Sequence, residues 1–256
     1  MEKITPKTTT DLQWLIHKSI VEYGLKTNLN YIDTSNITNM SGLFAEGITK
    51  AFNGDISQWD TSNVTSMNRM FSTSQFNGDI SQWDTSNVQN MEFMFSASHF
   101  NGDISQWDTS NVQNMSYMFN ESVFDNSLSL WNVGKVEYMP HMFQNSQFNQ
   151  DISAWDVSNV IDMTHMFTGT LFNQDISHWN VSSVEYSYLM FYRSGFKGDL
   201  SSWTLLDDEP SFISAAESPH SVSSFLKYQT ECIHKKLKNK YNDLIQPTTK
   251  AINNAL

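Results

Sequence analysis

Seven of the eight tryptophans, Trp59, Trp83, Trp107, Trp131, Trp155, Trp179 and Trp203, lie 24 residues apart, and no other feature constrains the fold as tightly. Phenylalanine keeps the same period from Phe52 to Phe196, and FNGDISQWDTSNV occurs identically three times, from Phe52, Phe76 and Phe100. A fixed period of about 20 to 50 residues marks repeat architectures, in which a single unit cannot bury its apolar face and must stack on neighbours. The expected architecture is therefore one elongated domain, an α/β repeat solenoid, with a β-solenoid as the alternative.

Within a unit two apolar periods follow each other. Trp59 and Thr61 alternate with Asp60 and Ser62, the pattern of a short strand with two faces. Met67, Met70 and Phe71 then stand at i, i+3 and i+4, which places them on one side of a helical turn. Asn53, Gly54 and Asp55 supply turn residues before the next unit. One short strand and one short helical turn per unit are expected.

The chain divides into three parts. Residues 1–31 hold a capping box, Thr8 with Asp11, ahead of Leu12, Leu15, Ile16, Ile20 and Tyr23 and before Gly24, which predicts an N-terminal capping helix. Residues 32–206 form the repeat region: a partial first unit from Ile32, an insertion of three residues around Glu46–Lys50, and seven units in phase from Phe52. Residues 207–256 read as a linker and a C-terminal capping helix, with Phe225, Ile233, Leu237, Tyr241 and Leu244 at roughly helical spacing. Caps at both ends are expected because an open stack exposes core side chains and unpaired backbone.

Composition narrows the partners. A net charge of −12 disfavours nucleic acid, which is bound by clustered cations, and points to a basic or polar partner. The single cysteine, Cys232, cannot pair within the chain or build a cysteine zinc site. No apolar leader is visible in MEKITPKTTTDLQ, and no run approaches the roughly 18 apolar residues of a membrane span. Neither these features nor the repeat fixes the oligomeric state.

The phased pattern IxxWxTSNVTSMxxMF resembles the BspA-like leucine-rich-repeat surface proteins of bacteria and mycoplasmas, over roughly Pro6 to Leu206. That resemblance implies a leucine-rich-repeat-like solenoid, display at the cell surface or secretion, and adhesion or protein contact, with no catalytic residues to carry over.

Candidate binding residues follow from the columns that a period of 24 generates. With the tryptophan ladder and Thr61 inward, the outward column is Asp60, Asp84, Asp108, Asn132, Asp156 and Asn180, flanked by serines such as Ser62 and Ser86. Stacked strands lie about 4.8 Å apart. Unit charges about 5 Å apart repel by roughly 0.8 kcal/mol in water and about 3 kcal/mol at an effective dielectric of 20. Such a stripe calls for backbone amides, cations or a basic partner, and it is the expected contact surface for a protein or glycan.

A second acidic column, Asp55, Asp79, Asp103, Asp151, Asp175 and Asp199, is a weak calcium candidate. Calcium takes about six to eight oxygens, and turn capping explains the column more simply. His141 and His165 share one phase and are surface histidines before they are a metal pair. The repeat methionines have core spacing. Lys235, Lys236, Lys238 and Lys240 form a basic helix face. No nucleophile elbow, phosphate-cradling loop or His-Glu-x-x-His motif occurs. A non-enzymatic binding or adhesion module is expected, without a cofactor, and a self-assembling structural or coat protein is the alternative.

Overall fold

A computed structural model describes residues 3–203. Its one α-helix, α1, spans Thr9–Tyr23. Thr8 Oγ1 accepts the Asp11 amide at 3.1 Å and Asp11 Oδ2 accepts the Thr8 amide at 3.0 Å, which satisfies two donors at the open helix end. Gly24, at φ 91°, ends the helix and donates its amide to the Ile20 carbonyl. Leu12, Ile16 and Ile20 are buried in the same core as the repeats. Tyr23, expected on that buried face, is exposed at the last position of the helix. The helix expected within 207–256 lies outside the described residues.

From Thr34 onward the units stack in single file. Parallel bridges join Asn39 to Ser66, Ser66 to Asn90, Asn90 to Asn114, Asn114 to Tyr138, Tyr138 to Asp162 and Asp162 to Tyr186. The three inserted residues are absorbed by a 3-10 helix, Gly47–Ala51. Their effect on register is visible in the indoles. Trp83 Nε1 donates to the Ile56 carbonyl, 27 positions back, whereas Trp59 reaches 30 positions back to Leu29.

The unit itself differs from the expected strand and helical turn. Around Trp83 and Thr85 the backbone makes two tight turns, Trp83 N to Ile80 O and Val88 N to Thr85 O. Those turns consume the amides a strand needs, and the inter-unit bridge falls instead at the Asn90 column. Along Met91–Ser98 no amide bonds four residues back. Met91, Phe93, Phe95 and Ala97 donate forward to Asn114, Ser116, Met118 and Asn120, while Met94, Ser96 and Ser98 donate three residues back. Phe93 (φ 55°) and Ala97 (φ 51°) are left-handed, which interrupts a helix. Met91, Met94 and Phe95 are nevertheless all buried, so the spacing marks a core side in a chain of turns.

The core is a set of parallel ladders. All seven repeat tryptophans are buried, with Trp59–Trp83 and Trp83–Trp107 ring centroids 6.4 and 6.5 Å apart in offset stacks. Phe76–Phe100 repeats at 6.4 Å and Phe95–Phe119 at 5.7 Å, while the outer pair Phe93–Tyr117 repeats at 4.4 Å. Equivalent rings are thus closest at the bridge side and farthest at the tryptophan side. No helix among the described residues is long and apolar enough to cross a membrane.

Candidate binding surfaces

Asp60, Asp84, Asp108, Asn132, Asp156 and Asn180 are exposed, and each is also a turn cap. Oδ1 of Asp60, Asp84, Asp108 and Asp156 accepts the amide two residues on, from Ser62, Ser86, Ser110 and Ser158, at 2.9 to 3.1 Å. Asn132 and Asn180 accept in the same way from Gly134 and Ser182. One oxygen of each side chain therefore belongs to the scaffold. The serine bonds, side chain first and then amide, hold the Asp108 and Asp156 carboxyls below the usual carboxylate range. These residues directly follow the buried tryptophans in the chain.

The second column repeats the motif. Asp55, Asp79, Asp103, Asp151, Asp175 and Asp199 cap Ser57, Ser81, Ser105, Ser153, Ser177 and Ser201 at 2.9 to 3.0 Å. The serine amides are the first cause of the lowered carboxyl pKa at Asp55, Asp79, Asp103, Asp151 and Asp175. Among the described residues no three His, Cys, Asp or Glu side chains converge on a point that could hold a metal ion.

Threonine and asparagine side chains tie the units together. Thr61, Thr85 and Thr109 donate across to the carbonyls of Asp84, Asp108 and Asn132, a contact absent where the later units carry buried Val133, Val157 and Val181. Asn63, Asn87, Asn111 and Asn159 reach back to carbonyls of the preceding unit. Met67, Met91, Met115 and the other repeat methionines are fully buried. The lysines of the C-terminal segment lie outside the described residues.

The histidines belong to a stack on the bridge side. Phe93, Tyr117, His141 and His165 repeat at 4.4, 4.3 and 4.8 Å, and Arg69 caps the Phe93 face at 5.3 Å. His141 Nδ1 lies 2.7 Å from Gln144 Oε1, an acceptor. His165 Nδ1 lies 3.0 Å from Thr168 Oγ1, whose own proton goes to the Leu189 carbonyl. Both Nδ1 atoms carry the proton in the neutral rings, leaving Nε2 as the lone pair. The rings are within 16° of parallel, so their in-plane lone pairs do not meet at one ion. Burial, and then the charge of His141, push the His165 pKa down.

A family model described as Mycoplasma protein of unknown function, DUF285, matches the chain twice in tandem, over residues 10–129 and 120–222. The chain belongs to this family. No curated protein and no solved structure matches it. Within the described residues of this DUF285 chain the two matched stretches include the stacked units, and the chain is a repeat protein.

The columns named from the sequence are in place: tryptophan inward, aspartate outward. Sequence reasoning did not single out the side chains exposed beside the bridges. Their signal was that positions 65, 66, 68 and 69 of the unit vary along the repeats around a recurring Met67, while FNGDISQWDTSNV recurs three times.

Proposed function

We propose that this DUF285 member is a non-catalytic binding module of the BspA-like leucine-rich-repeat surface type, a repeat solenoid displayed at or released from the cell surface. It contacts a protein or glycan of basic or polar character. The observation that carries this reading is the exposed column Asp60, Asp84, Asp108, Asn132, Asp156 and Asn180, in which the turn takes Oδ1 and leaves a second carboxylate oxygen at each aspartate and the amide nitrogen at Asn132 and Asn180. A rigid file of equivalent polar groups suits an extended contact, whereas catalysis uses one asymmetric constellation.

The test replaces Asp60, Asp84, Asp108 and Asp156 together by Asn. Asn132 and Asn180 already cap the same turn, so the fold is kept and only charge is removed. Partners are first found by pull-down and glycan array with the intact chain. Weakened binding of the fourfold variant supports the reading, and unchanged affinity for every partner found overturns the use of this face.

Self-assembly is the second reading. It is favoured by Trp14 and Val21, 60% and 64% exposed on the outward side of α1. Concentration-dependent sedimentation that disappears in Trp14→Ser supports it.

A further inference from the structure

The bridge column changes character along the file. Its early members are Ser66, Asn90 and Asn114, small and neutral; its last three are Tyr138, Asp162 and Tyr186. Residues paired in a parallel ladder project to the same side. Asp162 is therefore flanked along the file by two tyrosines, one from each neighbouring unit. Tyr138 is 42% and Tyr186 58% exposed, and Tyr188, 47% exposed, stands edge-on to His165. Asp162 Oδ1 accepts the Thr164 amide at 2.8 Å. Its second oxygen has no hydrogen bond within the described residues.

The neighbouring column changes in step. Thr65, Gln89 and Gln113 give way to Glu137, Ile161 and Glu185. Glu137 and Glu185 line an open groove of about 640 Å³ with Gln113, Lys135, Asn159 and Ile161, and Lys135 Nζ donates to Asn111 at 2.7 Å. Three carboxylates and two exposed phenol rings thus stand in two adjacent columns of the last three bridged units, whereas the same columns of the earlier units are neutral.

We propose that Tyr138, Asp162 and Tyr186 form a cradle for a cationic side chain of a basic polypeptide segment, whose flanking residues lie in the groove beside Glu137 and Glu185. Two ladder steps separate the tyrosines by roughly 9.6 Å, so a cation midway lies about 4.8 Å from each ring. Cation–π attraction acts within about 6 Å of a ring centroid, and the free Asp162 oxygen supplies the counter-charge beneath. Charge complementarity selects the occupant: the two columns are acidic there, the chain carries −12, and an anionic or apolar segment gains nothing from them. This cradle rests on the reading of the chain as a binding module but uses the bridge column, not the Asp60 column.

The experiment titrates the full chain at low salt with a short alternating lysine–glycine peptide, read by calorimetry and by NMR shifts of the tyrosine rings. Binding is expected, with shifts at Tyr138 and Tyr186. Asp162→Asn and Tyr186→Ser are each expected to weaken it about five- to tenfold, while Tyr186→Phe, which keeps the ring face, binds like the parent. The same peptide with acetylated lysines is expected not to bind. Equal affinity in Asp162→Asn and Tyr186→Ser, equal binding of the acetylated peptide, or no binding by the parent overturns the cradle. Loss of peptide binding in the fourfold Asp60, Asp84, Asp108, Asp156→Asn variant with retention in Asp162→Asn also overturns it, and leaves the acidic-face reading standing. Urea unfolding of every variant separates loss of binding from loss of fold.

Discussion

The indole Nε1 of Trp107 donates to the carbonyl of Ile80, 27 residues earlier, at 3.0 Å. Trp107 is at once a stacking ring and a staple onto the preceding unit. Replacing it by Phe keeps an aromatic ring but removes one of the two donors to the Ile80 carbonyl, which keeps the Trp83 amide, and leaves a cavity where the larger indole stood, a combined cost of about 1 to 3 kcal/mol. Urea unfolding of Trp107→Phe measures this. A loss below about 0.5 kcal/mol means the indole bond contributes nothing.

Acid destabilises the turns. The folded Asp103 carboxyl is held below its usual range first by the Ser105 amide and then by the Ser105 hydroxyl, as the Ser153 bonds hold Asp151. A carboxyl with a lowered folded pKa contributes stability that is complete above its unfolded pKa, about 3.8, and is lost as pH falls through the folded value. Stability is therefore expected to decline below about pH 4. Asp103→Asn preserves the cap and flattens that decline, whereas Asp103→Ala costs roughly 0.5 to 1 kcal/mol at neutral pH. Denaturation at pH 7 and pH 3 separates the three proteins.

His165 gives a second dependence in a different window. Its folded pKa is lowered, so the neutral ring is favoured by the fold, and the stability it contributes is complete above its ordinary 6.5 and is lost as pH falls through the folded value. Proton NMR titration is expected to place its midpoint below that ordinary value. His141→Ala removes the second cause, and the midpoint moves upward. No movement means that the stacked ring, 4.8 Å away, exerts no charge on it.

The left-handed positions carry removable strain. Ala97 sits at φ 51°, where a Cβ costs roughly 1 kcal/mol, whereas Gly169 fills the equivalent place at φ 70°. Ala97→Gly is expected to be neutral to stabilising by up to about 1 kcal/mol, against the usual penalty for glycine. Gly169→Ala is expected to destabilise, because a Cβ there meets Asn145 Oδ1. Thermal unfolding of the two variants gives shifts of opposite sign or leaves Ala97→Gly unmoved; a fall for Ala97→Gly removes the strain argument.

Burial was legible in the sequence wherever it repeats. Trp83 and Thr85 inward with Asp84 outward follows from alternation alone, and the α1 boundaries follow from Thr8, Asp11 and Gly24. Backbone path was less legible. Met91, Met94 and Phe95 have helical spacing, but Phe93 and Ala97, neither a usual left-handed residue, break the helix because their amides pair with the next unit. The turn at Asp84 was readable in principle, since Asp-Thr-Ser and Asp-Ile-Ser share the Asp-x-Ser spacing that capping uses. The Tyr138, Asp162 and Tyr186 column was not singled out: the period of 24 aligns these residues, but alternation placed the strand at Trp83–Thr85, whereas the bridges fall at the Asn90 column.

The indole and asparagine bonds between units give the file a sense. Trp83, Trp107, Asn87 and Asn111 all donate to carbonyls of the unit before their own. During synthesis the indole and asparagine donors of each new coil meet acceptors already laid down in the coil before it, whereas the amides of Met91, Phe93, Phe95 and Ala97 wait for the coil that follows.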